Sequence, residues 1–431
     1  MAEKRRILGL GLLLFLILTP FTTWAASKET GGFTEVVLKN GITLKYKIFK
    51  DEPLASMYAV VPIGMNQEKA KGIAHLMEHL VFRGGAGYDF SDILDITARE
   101  GGFFSGFTTF YTTVYNYVVP KENFMNAFKI FNSSLWETNL SAEMVALEQK
   151  IVLHELDMGY TDRLTFYPVV EYFNPDTAYT RETVEAITVK DLQEFHQDFY
   201  QPENVTYVMA GDFDPEMVIA QLEQVANGFG KREVPKESLM EFSLPSGDLV
   251  EERFIYPYHN QLLMGYELEG LSEADRMVIN LLVYANGFIS RMDYRKNQYK
   301  FYYTLSRTLG NKEFFGIYYL ERNQGFNSED LIKEKERMVG FFRQFKKVDF
   351  KALLTNYIEL IELEQMSASG SPVAAVEYEV QRLSGPDYIT VDDLPVLKKL
   401  TPKDLDRVMS RYFSGPPKTW ILINNTEAGG E

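Results

Sequence analysis

Hydrophobic and polar positions alternate from Ser56 to Pro62 and again from Thr112 to Val119, and this period of two predicts two strands. Between them the period changes. Ile73, Leu76, Met77, Leu80, Val81 and Phe82 recur at helical spacing and predict a short, largely apolar helix. A second helix is predicted over 143–156, where apolar residues again fall three and four apart. Further on, one plan occurs twice. Ile187-Thr188-Val189-Lys190-Asp191-Leu192 leads through an aromatic-rich helix end into a strand at Val205 to Ala210. Leu400-Thr401-Pro402-Lys403-Asp404-Leu405 leads through Arg411-Tyr412-Phe413 into Lys418 to Ile423, 213 residues later. Thr188 and Thr401 stand where helix N-caps are expected. The repeat predicts a duplicated α+β architecture, two similar domains over 32–230 and 248–425, each a twisted sheet packed by helices on one side. An irregular polar stretch with Lys231, Arg232, Pro235, Lys236 and Pro245 marks a linker at 231–247.

Residues 1–25 have the layout of a secretory signal peptide. Lys4, Arg5 and Arg6 precede an apolar run from Ile7 to Leu18, and Thr23-Trp24-Ala25 offers small residues for cleavage. A bilayer span needs about 20 apolar residues, so the run is short for one. Export to the periplasm is expected, with no stable membrane span once the leader is removed; an uncleaved leader acting as an anchor is the alternative. The chain's formal charge of −16 becomes −18 without the leader, in which Glu3 stands against three cations. That balance argues against nucleic acid or anionic lipid as partner. With no cysteine, disulfides and thiolate metal ligands are excluded.

Candidate chemistry sits on the first predicted helix. Two of only five histidines, His75 and His79, lie four apart with Glu78 between them. Residues four apart on a helix share a face, so both imidazoles can reach one tetrahedral Zn2+, and Glu78 can reach a water beside it without ligating. This is the H-x-x-E-H order of the inverted zinc peptidases. The structural alternative is a pair of satisfied core histidines, which would need buried partners. A catalytic zinc takes three protein ligands and keeps one position open. The second helix offers Glu155 as the third, with Glu148 two turns earlier on the same face to accept from a ligand histidine. His154 is the rival, about 100° around the helix.

These residues carry a resemblance. The chain is similar to the inverzincin peptidases of the pitrilysin and mitochondrial processing peptidase family, from Val36-Val37-Leu38-Lys39-Asn40-Gly41 to the strand near Trp420. The family's third ligand is a glutamate some seventy-odd residues after the motif, and Glu155 lies 76 residues beyond His79. The resemblance implies two similar α+β domains forming half of a clamshell. It implies that Phe104, Ser105, Gly106 and Phe107 belong to a sheet edge where an extended peptide adds as a strand. Relatives often carry Asn-Ala where this chain has Ser105-Gly106. It also implies that Arg295 and Tyr302, seven residues apart, reach a zinc site from the second half to hold substrate and assist the oxyanion. Tyr303 competes with Tyr302, and the Gly-Leu that relatives often carry between the pair is absent. Four domains close the family's chamber and this chain supplies two. A homodimer is therefore expected, or a heterodimer with a paralogous subunit.

The function expected is that of a secreted zinc metalloendopeptidase acting on peptides or short unfolded polypeptides, with one Zn2+ per subunit. A non-catalytic scaffold or peptide-binding subunit is the alternative.

Overall fold

The run predicted as a strand at Ser56 extends from Leu54 to Val61, and every residue after Leu54 is buried. A strand so covered needs apolar layers on both faces, and the surrounding elements supply them. The computed structural model describes residues 28–30, 32–65, 67–158, 180–226, 228–235, 249–253, 260–296, 301–309, 312–321, 328–344, 349–384 and 389–424. The leader at 1–25 and residues 236–247 of the expected linker lie outside these residues.

In chain order the first part contains β1 (Lys28–Thr30), β2 (Phe33–Val37), β3 (Thr43–Ile48), β4 (Leu54–Val61), α1 (Ile73–Val81), β5 (Gly84–Gly85), β6 (Tyr88–Asp89) and α2 (Phe90–Ala98). It continues with β7 (Phe103–Thr108), β8 (Thr113–Pro120), α3 (Phe124–Trp136), α4 (Ala142–Met158) and β9 (Thr206–Gly211). The second contains β10 (Leu249–Arg253), β11 (Asn260–Leu268), β12 (Phe301–Leu309), β13 (Lys312–Glu321) and β14 (Lys418–Asn424). Seven strands form one sheet in the order β1-β2-β3-β9-β4-β8-β7, and five form another in the order β10-β14-β11-β13-β12.

The duplication is visible in the pairing. In each sheet the first strand of the repeat lies parallel to the last, β3 beside β9 and β10 beside β14. The three pairings that follow are antiparallel in both, and β7 and β12 occupy matching edges. The helices before β9 and β14 start alike. Thr188 and Thr401 each take their own helix's third residue, Asp191 or Asp404, onto backbone N–H and hydroxyl. Those reciprocal contacts satisfy donors that the first turn leaves open.

On one face of the larger sheet, Met57, Ala59, Val61, Tyr115 and Tyr117 pack against Leu76, Met77 and Leu80 of α1 and the aromatic residues of α3. Each such fully buried side chain contributes about 1.5–3 kcal/mol. The other face corrects the expectation of helices on one side only. Tyr58, Val60, Val114 and Val208 are covered by Ala375, Val376 and Val380, on the helix Pro372–Leu383 from the second half of the chain. Lys45, buried within β3, is paired across that packing. Its ammonium donates to Glu379 of the same helix at 2.7 Å and lies 3.2 Å from Glu35. Among the described residues, no helix is long and apolar enough to cross a membrane.

Candidate metal centre

α1 is nine residues long and buries Ile73, Ala74, Leu76, Met77, Leu80 and Val81, which fixes its rotation against the sheet. That rotation turns His75 and His79 to one side, their ring centroids 4.8 Å apart and nearly perpendicular. α4 packs across α1 and brings Glu155 against both. One Glu155 oxygen, Oε2, lies 3.6 Å from His75 Nε2 and 3.5 Å from His79 Nε2. One donor atom from each of the three residues lies within 4.8 Å of the others. A tetrahedral zinc with bonds of about 2.0–2.1 Å has ligand–ligand edges of about 3.3–3.4 Å. The two measured separations from the carboxylate are therefore within tenths of an ångström of a coordination edge, and the donor set fits the ion. His154, the rival, is exposed on α4 and does not join this group.

Glu148, fully buried, sits behind His79 with Oε2 3.1 Å from Nδ1. A carboxylate only accepts, so Nδ1 carries the proton and Nε2 is left as the donor atom facing Glu155. Arg83 Nε donates to the other Glu148 oxygen, and its guanidinium lies 4.2 Å from the centre of the Phe90 ring. Arg83 was not picked out from sequence, although its place four residues after His79 was a signal.

Glu78 lies beside His75 and His79 on the buried side of α1. Its Oε2 accepts from Thr108 Oγ1 at 2.9 Å. Thr108, on β7, was also missed; the period-two alternation puts it on the same face as Gly106, which was the available clue. A Cβ on Gly106 would lie 2.8 Å from Glu78 Oε1 and 2.8 Å from Phe82 Cε2, so the glycine is what leaves room for this carboxylate. That close approach is to α1. β7 is an edge strand, and no described strand pairs with its outer side. Phe104 faces inward, its ring 5.1 Å from Phe82 and 5.8 Å from Tyr117. Ser105 and Phe107 alternate to the opposite face, where Phe107 is exposed.

Electrostatics separate these groups. Burial, then the neighbouring His79 charge, lowers His75 to about 4. Burial opposes the charge on His79 too, but hydrogen bonds to Glu148 and Glu155 outweigh it and raise His79 to about 10. Burial lifts Glu78 to about 7, against the pull of His79 and the Thr108 hydroxyl. For Glu155, burial is more than offset by His79 and His75, which hold it below the usual carboxylate range. A cation entering the site must displace the His79 proton. Between pH 6 and 8 its affinity should therefore rise about tenfold per unit, with one proton released per ion. Calorimetry in buffers of different protonation enthalpy would read that proton; a pH-independent affinity would contradict it.

Arg295 lies near the end of the helix Glu273–Lys296, and Tyr302 lies on β12 opposite Tyr319. Their side chains, and residues 297–300 between them, lie outside the described residues.

Two family models match the chain. One, described as insulinase (peptidase family M16), covers residues 50–191; the other, described as peptidase M16 inactive domain, covers residues 186–288. The uncharacterized zinc protease YmfH of Bacillus subtilis is 27% identical over 209 residues, 46% of this chain and 47% of that protein. Among solved structures, a protease from Helicobacter pylori matches with a TM-score of 0.73 at 19% identity, over 93% of this chain and 100% of that one. The periplasmic protease PqqL from Escherichia coli matches with a TM-score of 0.67 at 16% identity, over 98% of this chain and 49% of that one. The chain spans about half the length of the curated relatives it matches.

Proposed function

Because the chain belongs to the M16 peptidase family, the insulinase and pitrilysin type, we propose that it is an exported zinc-dependent endopeptidase of peptides or short unfolded polypeptides. The observation that carries this reading is the convergence of His75, His79 and Glu155 donor atoms beside a buried Glu78. All four fall inside residues 50–191, the stretch matched by the insulinase model, and none in the stretch matched by the inactive-domain model.

His75, His79 and Glu155 would hold one Zn2+, and Glu148 would fix the His79 ring through Nδ1. When bound, the metal supplies a Lewis acid that polarises the scissile carbonyl and acidifies a water to a pKa of about 7. Glu78 takes the proton of the attacking water and returns it to the leaving amine. With Glu78 under β7, that transfer would occur beside the strand edge, where an extended peptide would add through backbone hydrogen bonds. Phe107 and Ser105 would meet alternate substrate side chains. Arg295 and Tyr302 would act on a partner subunit's site, in a homodimer or in a pair with a paralogous subunit. Domain limits of 32–230 and 248–425 are proposed with the linker between them. PqqL, described as periplasmic, supports export to that compartment.

Stoichiometric zinc in the purified protein, with cleavage of a quenched peptide library that stops on chelation and returns with added zinc, is the expected result. A protein that binds no zinc and cleaves nothing would instead be the scaffold. Within the enzyme, Thr108→Val removes the hydroxyl that donates to Glu78. We expect kcat to fall about tenfold with zinc content unchanged; an unaltered kcat would remove Thr108 from the mechanism.

A further inference from the structure

His75 stands close to a helix end: it is the third residue of a nine-residue helix. The N–H groups of a first helical turn have no partners within the helix, and that turn is where helices fray. The residue ahead of α1 provides no help, since Gly72 has no side chain and sits at φ 90°. A metal ligand there needs its turn fixed from elsewhere.

Glu68 does this. Its side chain is buried, 3% exposed, four residues ahead of Gly72. Each carboxylate oxygen takes one amide of the turn, Oε1 from Gly72 N at 2.7 Å and Oε2 from Ala74 N at 3.0 Å. The loop is wound tightly enough to hold that pose, with Ile73 N donating to Ala70 O at 3.1 Å and the Lys71 ammonium to Glu68 O at 3.1 Å. A bidentate acceptor fixes both translation and rotation of the turn, and a negative group at a helix N-terminus is favourable for the dipole. Ala74 immediately precedes His75, so the turn that Glu68 grips is the one that aims the imidazole.

We infer that Glu68 is a positioning residue for the metal centre, holding the first turn of α1 so that His75 meets His79 and Glu155 in ligating geometry. Glu148 secures the second histidine through its ring; Glu68 secures the first through its backbone. This rests on the zinc reading above, and its test separates the two.

Zinc affinity of full-length wild type, Glu68→Gln and Glu68→Ala would be measured by competition with a chromogenic chelator, alongside the visible spectrum of the cobalt(II) form and amide exchange at residues 72–76 without metal. Loss of a residue that orients a ligand weakens metal binding about 10–100-fold, and that is expected for Glu68→Gln, with faster exchange confined to the first turn and an altered cobalt spectrum. Glu68→Gln preserves volume and one acceptor oxygen, so it carries the test if Glu68→Ala does not fold. A lower melting temperature with zinc affinity within about threefold of wild type and an unchanged cobalt spectrum would overturn the positioning role and leave the peptidase reading standing. Wild-type protein that binds no zinc would overturn both.

Discussion

Replacing Glu78 by glutamine is expected to leave zinc bound at wild-type stoichiometry and to cut turnover by about 10²–10⁴-fold, the range assigned to a positioned general base. The substitution is close to isosteric, which matters because the carboxylate is boxed in. The space beside Gly106 that holds it would not admit even a Cβ, which would lie 2.8 Å from Glu78 Oε1. The glutamine carbonyl can keep the bond from Thr108 Oγ1, so the fold and the ligand geometry should survive. What is lost is the site for a proton. Burial lifts Glu78 to about 7, and a base with a pKa near the working pH combines a usable ionised fraction with enough basicity to accept. An amide has neither. Metal analysis, a melting curve and hydrolysis of a quenched peptide on the same preparation would check this. Full activity in zinc-loaded Glu78→Gln would sink the mechanism, and loss of zinc would show that Glu78 belongs to the ligand set.

The parts of this site that sequence exposed are those encoded within one or two helical turns. His75, Glu78 and His79 are a local pattern, and the apolar residues around them fix which way they face. Glu148 and Glu155 share a face by spacing alone. Strand β4 and the capped helices at Thr188 and Thr401 were legible for the same reason, since alternation and capping act over a few residues. What was hidden depends on approach between segments distant in the chain. The second layer over β4 comes from Ala375, Val376 and Val380, and nothing near β4 announces it. Lys45 reads as an ordinary polar position in β3 until Glu379 arrives beside it. Thr108 looks like any strand threonine, and becomes significant only because α1 lies under β7. Arg295 and Tyr302 stand at the limit of this reasoning. Their spacing came from resemblance, and their side chains lie outside the described residues.

Glu155→Ala should abolish stoichiometric zinc while leaving the protein folded. The side chain is 31% exposed, and substitutions at such positions usually change stability little. Structural zinc sites in zinc-finger peptides gain about 10–16 kcal/mol from their full ligand sets, and on that scale one of three ligands has a share of about 3–5 kcal/mol, roughly 10²–10⁴ in affinity. Gel-filtered protein should then carry little metal, and competition with a chelator should give the shift. If Glu155→Ala bound zinc normally and His154→Ala lost it, α4 would have to be turned by about 100°. That rotation would carry Glu148 away as well, because Glu148 and Glu155 lie two turns apart on one face. Yet Glu148 is fully buried, contacts His79 Nδ1 at 3.1 Å and receives Arg83 on its other oxygen. The orientation of α4 is thus held by a contact independent of Glu155, and that contact presents Glu155 to the histidines and leaves His154 in solvent.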